Sequence, residues 1–347
     1  MEFDENEYLS WYLPLARGGQ GINLHSSGMP AIEPSEFLPA TGRPWSLTPR
    51  LEQAFASWLG LSPEQVMFTP GATGGNLFAL LGLAPAGSEV IVESPIYEPM
   101  VRQAYRVNRV KRLFRSFEKG WTVGPDDLKP LVGNDTSLAI ITEPHNPSGV
   151  VTERSQIFAI ADYLESFGAY ILVNEVYRGF GEWRTLAGER ENLLVVGSFS
   201  KLCGTYWARL GYLAGHEKVL DKMRRVRMNL GPASEAAAGV GLKVMDSIGE
   251  LQQRARETAA KGIPLADEWV KRTRSVSWVR PEASGFGCIK LPAGVNDIEL
   301  VKRLYEEDHV AAIPGSLFGA SGTLRISWLQ AGEQLEKGLA VLGKRME

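Results

Sequence analysis

Short apolar runs rich in β-branched residues recur along this chain, and segments of helical length separate them. Parallel strands need a long crossover, usually a helix, whereas tight hairpins join antiparallel strands. Strands that alternate with helices therefore pack as a mostly parallel, doubly wound sheet with helices on its faces, which predicts an α/β fold. The runs that predict strands cover residues 89–92, 138–141, 170–173, 193–196 and 211–214.

The length of 347 residues suffices for one large domain and a smaller one. Beyond about residue 235 the pattern changes to a helical stretch over 234–258, followed by a shorter αβ mixture that ends at 322–328. We therefore expect a large domain over residues 42–234 and a smaller α/β C-terminal domain over 235–347.

Residues 1–41 form a separate N-terminal segment in this interpretation. The segment contains the apolar stretch 8–15, which a free terminus would leave exposed to water. We expect it to pack with the small domain or with a partner subunit. The Pro/Gly-rich stretch 29–49 predicts a connecting loop.

Composition narrows the classes of partner. The 37 Lys and Arg residues against 40 Asp and Glu form no dense basic run, so neither nucleic acid nor a membrane is expected as a partner. No apolar stretch approaches the ~20 residues of a membrane span, and the acidic start lacks the features of a signal peptide, which predicts a cytoplasmic location. Cys203 and Cys288 lie too far apart in sequence for a disulfide framework, and four scattered histidines show no metal-ligand spacing. Cys203 lies close to Lys201, and we expect a small buried thiol there rather than a catalytic one.

Polar side chains gather directly after the run that ends at residue 197. Ser198, Ser200 and Lys201 follow this run, and Arg209 comes eight residues after the lysine. Open α/β sheets bind their ligands at the carboxyl ends of the strands. An amine can condense with an aldehyde, while hydroxyls and a guanidinium neutralise a phosphate. This group predicts a site for a molecule that carries both, such as pyridoxal 5′-phosphate (PLP).

A glycine-rich turn over 69–75 precedes a predicted helix over 76–83. Free backbone N–H groups at a helix start bind anions, and the helix dipole favours negative charge there. The backbone of Gly71, Ala72 and Thr73 would then complete a phosphate cup with the side chains after residue 197. A structural glycine turn is the alternative interpretation.

Three further residues suit an aromatic ligand. Asn146 lies in the turn after strand 138–141 and can donate to an anionic ring oxygen, and a common proline turn is the alternative interpretation. Tyr177 follows strand 170–173 and can donate to the same oxygen, or it can be a half-buried packing residue. Tyr97 offers a flat face for stacking.

The order and spacing of these motifs resemble the fold-type I PLP-dependent enzymes, specifically the class I/II aminotransferase family, over about residues 22–327. The resemblance implies PLP as the cofactor, bound by the large domain, with Lys201 as the Schiff-base lysine and proton shuttle. Tyr97 would stack on the pyridine ring, and Asn146 and Tyr177 would hold its phenolic oxygen. The phosphate would be held by Gly71, Ala72, Thr73, Ser198, Ser200 and Arg209.

The resemblance also implies how substrate and subunits are arranged. Arg325, within 324–327, matches the arginine that grips the α-carboxylate of the substrate, a task that suits a bidentate fork. Asn146 would assist in substrate binding, and Gly28 matches a loop that closes over the substrate. The family implies a homodimer, yet Trp45 lies roughly where a tyrosine would reach the partner's phosphate, which leaves that dimer contact open.

Asn174 departs from the family pattern. It stands where the family has an aspartate that pairs with the protonated pyridine nitrogen. An amide can hydrogen bond to this nitrogen but cannot balance its charge, so the ring should absorb electrons less strongly. Glu175 is a poor substitute, because neighbouring strand side chains point to opposite faces. The sequence leaves open whether Asn174 is a native retuning or an introduced substitution.

These features predict an aminotransferase that moves the amino group of an α-amino acid to a 2-oxo acid, with Lys201, Asn174 and Tyr177 as its catalytic residues. The alternative is a PLP-dependent lyase, cyclase or oxidase of an amino acid in secondary metabolism, which Asn174 favours. A regulatory domain with this fold and a DNA-binding head is a third interpretation. Only about forty residues precede the main fold, and none has a helix-turn-helix pattern, which argues against it.

Overall fold

The computed structural model describes residues 7–18, 21–30, 47–182, 184–230, 234–330 and 332–346. The expected boundary between residues 41 and 42, the residue Trp45 and most of the expected loop over 29–49 lie outside the described residues.

Strands and helices alternate over most of the described chain. The strands are β1 Ile22–Asn23, β2 Val66–Pro70, β3 Glu89–Ser94, β4 Arg109–Phe114, β5 Thr136–Thr142, β6 Tyr170–Asn174, β7 Leu193–Ser198, β8 Leu210–Gly215, β9 Ser277–Trp278, β10 Phe286–Lys290, β11 Val310–Ala311, β12 Ile313–Pro314 and β13 Thr323–Ser327. The α-helices are α1 Glu7–Gly18, α2 Leu47–Leu59, α3 Gly71–Leu83, α4 Glu98–Val107, α5 Pro125–Leu128, α6 Arg154–Glu165, α7 Phe199–Leu202, α8 Glu217–Leu230, α9 Glu235–Asp246, α10 Ile248–Arg272, α11 Asp297–Asp308 and α12 Glu333–Lys344.

A seven-stranded sheet forms the centre of the fold, in the order β2-β8-β7-β6-β5-β3-β4. Its pairs from β7 to β4 are parallel, whereas β8 is antiparallel to both β7 and β2. All five predicted strands are present, and the mostly parallel α/β architecture is confirmed. The sequence interpretation missed β2 and β4 at the two edges.

The central strands are buried on both faces, which explains their continuous apolar sequence. In β7, Leu193 and Val195 pack into a core with α2 and α6, while Leu194 and Val196 pack into a second core with α3, α4 and α8. Side chains alternate between the faces with a period of two, so each strand supplies both cores. The result is a helix–sheet–helix sandwich.

The C-terminal part contains a four-stranded antiparallel sheet in the order β12-β13-β10-β9. The helical stretch expected over 234–258 consists of two helices, α9 and α10, with a break at Ser247. Helix α9 packs on α2 beside the large sheet, and a β-carbon at its Gly241 would lie 2.7 Å from Leu51 Cδ2. The domain division at 234/235 stays a prediction.

Helix α1 lies against both parts of the chain. Tyr8 is buried and packs with Ile313 and Phe318 of the C-terminal part and with Tyr97 at the start of α4. Its backbone N–H donates to Glu98 Oε2 at 2.7 Å. The N-terminal segment thus contacts residues of its own chain. None of the helices in the described ranges is long and apolar enough to cross a membrane.

Candidate active site

A cavity of about 160 Å³ opens at the carboxyl ends of β5, β6 and β7. This is the edge of a parallel sheet where ligands bind. Most of the residues singled out from the sequence line it. The lining residues are Tyr8, Tyr12, Ser27, Ala72, Thr73, Asn76, Tyr97, Met100, Thr142, Asn146, Asn174, Val176, Tyr177, Ser198, Ser200, Lys201 and Arg209.

Lys201 lies on the short helix α7, directly after β7. Burial, followed by the positive charges of Arg325 and Arg209, lowers the pKa of its amine from the ordinary value of 10.5 to about 8. The backbone N–H of Met29 donates to the carbonyl of Lys201 at 2.8 Å, so the loop that contains Gly28 lies against the lysine. A buried amine with a lowered pKa is suited to act as a nucleophile and a base.

The residues expected to form a phosphate cup begin at the N-terminus of α3. Gly71 has a φ of 71°, and a β-carbon there would lie 2.5 Å from Arg209 Nη2, so the guanidinium packs directly over this glycine. Arg209 itself adopts the left-handed conformation with a φ of 54°, which is unusual for a residue with a side chain. The arginine fork and the free N–H groups of the first helical turn therefore face the same space.

The helix expected over 76–83 begins five residues earlier, at Gly71. Glycine is a poor helix former and costs roughly 1 kcal/mol of helix stability relative to alanine. The glycines at the start of α3 therefore did not indicate a helical turn in the sequence. Tertiary packing overrides the propensity, because α3 lies so close to β7 that a β-carbon at Gly75 would come within 2.6 Å of Val196 Cγ2. The turn predicted to precede the helix is thus its first turn.

The two serines after β7 have different environments. Ser198 caps α7, since its Oγ accepts from the N–H of Ser200 at 3.1 Å and donates to the carbonyl of Leu210 at 2.9 Å. The Oγ of Ser200 is buried without a hydrogen-bond partner. A buried polar group is normally paired, so the Ser200 hydroxyl indicates a ligand that supplies the missing partner.

Three of the lining residues are those expected to contact an aromatic ligand: Tyr97, Asn146 and Tyr177. Tyr97 lies at the start of α4, in edge contact with Tyr8 at 5.0 Å between ring centroids. Burial raises the pKa of Tyr177 to about 12, so its hydroxyl stays protonated and able to donate. The Oδ1 of Asn146 accepts from Arg325, which leaves its NH₂ group to donate.

Arg325 lies on β13, fully buried behind the cavity wall. Its Nη1 donates to Asn146 Oδ1 at 3.0 Å, and its Nη2 donates to the carbonyl of His25 at 2.9 Å and to the hydroxyl of Tyr8 at 3.4 Å. The Nε has no partner, and none of the ion pairs among the described residues involves this guanidinium. A buried cation without a counter-charge is suited to bind an anion.

Asn174, at the end of β6, lines the cavity, as the comparison with the family pattern requires. Glu175 points elsewhere: its carboxylate accepts from the N–H of Leu186 at 2.7 Å and from the hydroxyl of Thr185 at 2.8 Å. The expectation that the side chain of Glu175 points to the opposite face from Asn174 is confirmed. Cys203 is a free, buried thiol, as expected, and Cys288 is also free and buried.

The sequence interpretation missed several residues of the cavity wall. Tyr8 and Tyr12 stand four residues apart on α1 and stack at 5.6 Å, and this spacing was visible in the apolar stretch 8–15. Asn76 is a polar residue in an otherwise apolar helix, which is a weaker signal. Met100 and Thr142 have no chemical signature that distinguishes them from core residues.

A buried ion cluster lies beside the cavity. Arg115 contacts Glu93 and Glu143 at 2.7 Å each, with the guanidinium fully buried. Its Nη1 also donates to the carbonyl of Trp121 and the hydroxyl of Thr152. Glu93 lies four residues before Tyr97, and Glu143 lies three residues before Asn146. The cluster therefore connects the two chain segments that carry these cavity residues.

Arg115→Met is expected to destabilise the fold by about 3–5 kcal/mol, because two buried carboxylates lose their shared cation. The control is Arg109→Met, which removes an arginine whose pair with Asp135 is exposed and is worth about 1 kcal/mol or less. Denaturant unfolding of both variants measures the difference. Equal midpoints would contradict the role of the cluster.

The donor set fits PLP. Lys201 supplies an amine for an aldehyde, and Ser200, Arg209 and the first turn of α3 supply donors for a phosphate. The aromatic walls and the donors of Asn146 and Tyr177 suit a ring that bears an anionic oxygen. This arrangement on a mostly parallel sheet defines a PLP-binding class of enzyme.

Comparisons with known proteins identify the family. Residues 41–342 match the family described as "Aminotransferase class I and II". An aspartate aminotransferase of Thermotoga maritima is 26% identical over 290 residues, 80% of this chain and 74% of that protein. A probable aspartate/prephenate aminotransferase of Aquifex aeolicus is 27% identical over 341 residues, 90% of this chain and 84% of that protein.

A solved structure shares the fold over its whole length. It is a PLP-dependent aminotransferase from Streptococcus suis, with a TM-score of 0.88 and 23% identity, and the match covers 100% of this chain and 99% of that one. The chain belongs to the class I and II aminotransferases and is a PLP-dependent enzyme of that family. Its substrates are an amino acid and a 2-oxo acid.

Proposed function

We propose that Lys201 is the residue that carries the exchange of an amino group between an α-amino acid and a 2-oxo acid. The strongest support is the amine of Lys201, which is buried and has its pKa lowered to about 8. The positive charges of Arg325 and Arg209 contribute to this shift, and each arginine is suited to bind a different anion. Arg209 packs over the phosphate cup, whereas Arg325 lies behind Asn146 and Tyr8. One molecule can thus be held by its phosphate and the other by its carboxylate.

We assign the phosphate to the backbone of Gly71, Ala72 and Thr73, the hydroxyls of Ser198 and Ser200, and the guanidinium of Arg209. Ser200 is the stronger hydroxyl donor, because Ser198 already uses its proton on Leu210. Tyr97 would stack on the ring of bound PLP, and Asn146 and Tyr177 would donate to its oxygen.

We assign the substrate carboxylate to Arg325. The contact between its Nη2 and the hydroxyl of Tyr8 is long, at 3.4 Å, and the Nε has no partner, so a carboxylate can replace the tyrosine there. The loop with Gly28 lies against Lys201 and helps to exclude water from the reacting atoms.

When bound, PLP supplies an aldehyde carbon for the substrate amine and a conjugated ring that withdraws electrons from Cα. Lys201 would move the proton in this reaction: its neutral amine would take the proton from Cα and return it to the carbon of the former aldehyde group. Burial keeps this amine largely free of competing solvent.

Incubation with a pool of amino acids and 2-oxo acids, followed by mass spectrometry of both products, tests the proposal. Paired exchange of the amino group is the expected result. Ammonia, peroxide or a cyclised product without exchange would instead support a lyase, oxidase or cyclase, and would contradict the proposal. Free PLP in a filtrate of the purified protein would show that no tight site exists.

The lowered pKa of Lys201 predicts a pH dependence. Only the neutral amine reacts with an aldehyde, so the rate of covalent PLP capture by the apoenzyme should rise with pH and level off above about pH 8. Arg325→Met removes a cation that lowers this pKa, and the midpoint should therefore move to higher pH. Stopped-flow absorbance measures both curves, and a wild-type rate that still climbs at pH 10 would contradict the low pKa.

We also propose a homodimer, a cytoplasmic location and the division into residues 1–41, 42–234 and 235–347. The exposed side chains of Tyr206, Met228 and Leu230 support the dimer, since their apolar area is suited to a partner surface. Light scattering that finds an active monomer would refute it. Cell fractionation and limited proteolysis test the location and the division.

A further inference from the structure

The orientation of the Asn174 amide is determined by its neighbours. Its Oδ1 accepts a hydrogen bond from the N–H of Val176 at 3.2 Å. The reversed amide would place an NH₂ group against this N–H, and two donors repel each other. The NH₂ group is therefore the end that is turned away from Val176, and it contacts the sulfur of Met100 at 3.6 Å.

A thioether is a weak acceptor, so the NH₂ group of Asn174 keeps the capacity to donate to a ligand. The side chain lines the cavity and is buried, with 5% of the residue exposed. A donor in this position requires an acceptor on the bound molecule. A pyridine nitrogen is an acceptor when it is unprotonated and a donor when it is protonated.

The charges around the cavity also disfavour a proton on a ring nitrogen. Lys201 and Arg209 line it, and Arg325 lies behind it, while no Asp or Glu belongs to the described lining. Elements next to Asn174 present Asn76 from α3, Met100 from α4 and Thr142 from β5. The carboxylates of Glu93 and Glu143 are paired with Arg115, and Glu175 faces Thr185 and Leu186. A positive ring nitrogen would thus lack a nearby counter-charge in the described site.

We propose that Asn174 donates a hydrogen bond to the pyridine nitrogen of bound PLP and keeps that nitrogen unprotonated. The inference rests on the proposed cofactor site. It makes Asn174 a residue that sets the electronic state of the cofactor, because a neutral pyridine withdraws less electron density than a pyridinium.

The test is ¹⁵N NMR of the holoenzyme loaded with PLP that is labelled at the pyridine nitrogen. The wild type is expected to show the resonance of a neutral pyridine near pH 7. Asn174→Asp is expected to move the resonance far upfield, to the position of a pyridinium. One aspartate oxygen can still accept from Val176, and the other then faces the ring as an acceptor and a counter-charge.

Asn76→Asp is the matched control, because it adds the same carboxylate to the same cavity from a different element. Its resonance is expected to remain that of a neutral pyridine. An upfield shift of similar size in this control would overturn the specific role of Asn174. A pyridinium resonance in the wild type would overturn the inference outright without any variant.

These outcomes are separable from a failure of the proposed function. A wild-type enzyme that exchanges amino groups but carries a pyridinium refutes the inference and leaves the function intact. A protein that retains no labelled PLP refutes both. The NMR measurement reads the protonation state and does not depend on turnover.

Discussion

Lys201→Ala is expected to reduce amino-group exchange by at least about three orders of magnitude, since it removes both the covalent anchor and the base that moves the Cα proton. The phosphate cup is untouched, so the variant should still bind PLP. Borohydride treatment should then no longer fix the cofactor to the chain, as intact-protein mass spectrometry would reveal.

The matched control for this prediction is Lys222→Ala, which removes an exposed lysine on α8 whose hydrogen bond and cation–π contact both go to Tyr170. Exchange and cofactor fixation should both remain as in the wild type. A reduced peptide map that places the label on a lysine other than Lys201 would refute the assignment.

Arg325→Ala is expected to weaken amino-acid binding by about 2 kcal/mol or more, because a charge-assisted, bidentate contact is lost. The loss should appear as a thirtyfold or larger rise in KM, by about 1.4 kcal/mol for each factor of ten. The visible absorbance of the bound cofactor should be retained, because the substitution alters none of the residues assigned to its phosphate or ring.

Two comparisons separate carboxylate binding from a general structural effect of Arg325. Arg325→Lys keeps the charge but loses the fork, so its KM should lie between those of the wild type and the alanine variant. Simple amines without a carboxylate should react equally slowly with all three proteins. If the wild type accepted such amines as readily as amino acids, the role of Arg325 would be wrong.

The sequence was most informative where a local pattern has one physical cause. The run 193–196 is apolar at every position because β7 is buried on both faces, and the polar residues after it lie at the strand end, as predicted. Strand β4 was not predicted, because it is an edge strand with Arg109, Lys111 and Arg112 among its six residues. This sequence is typical of a solvent-exposed segment.

Features that depend on distant contacts were not predictable. Arg115 pairs with carboxylates 22 and 28 residues away, and no local spacing indicates such a cluster. Tyr8 reaches the cavity only because α1 packs across it, and an aromatic pair four residues apart on a helix equally fits an ordinary core stripe. The orientation of the Asn174 amide follows from one backbone N–H, which a sequence does not reveal.

The position of Tyr8 affects the order in which parts of the chain can fold during synthesis. Its partners Phe318 and Arg325 follow it by more than three hundred residues, so a ribosome makes the first helix long before the surface on which it docks. The N-terminal wall of the cavity can form only after β13 has emerged. A chain that stops before β13 would lack both Arg325 and a support for α1, so its cavity would remain open to water even if the large sheet had already folded.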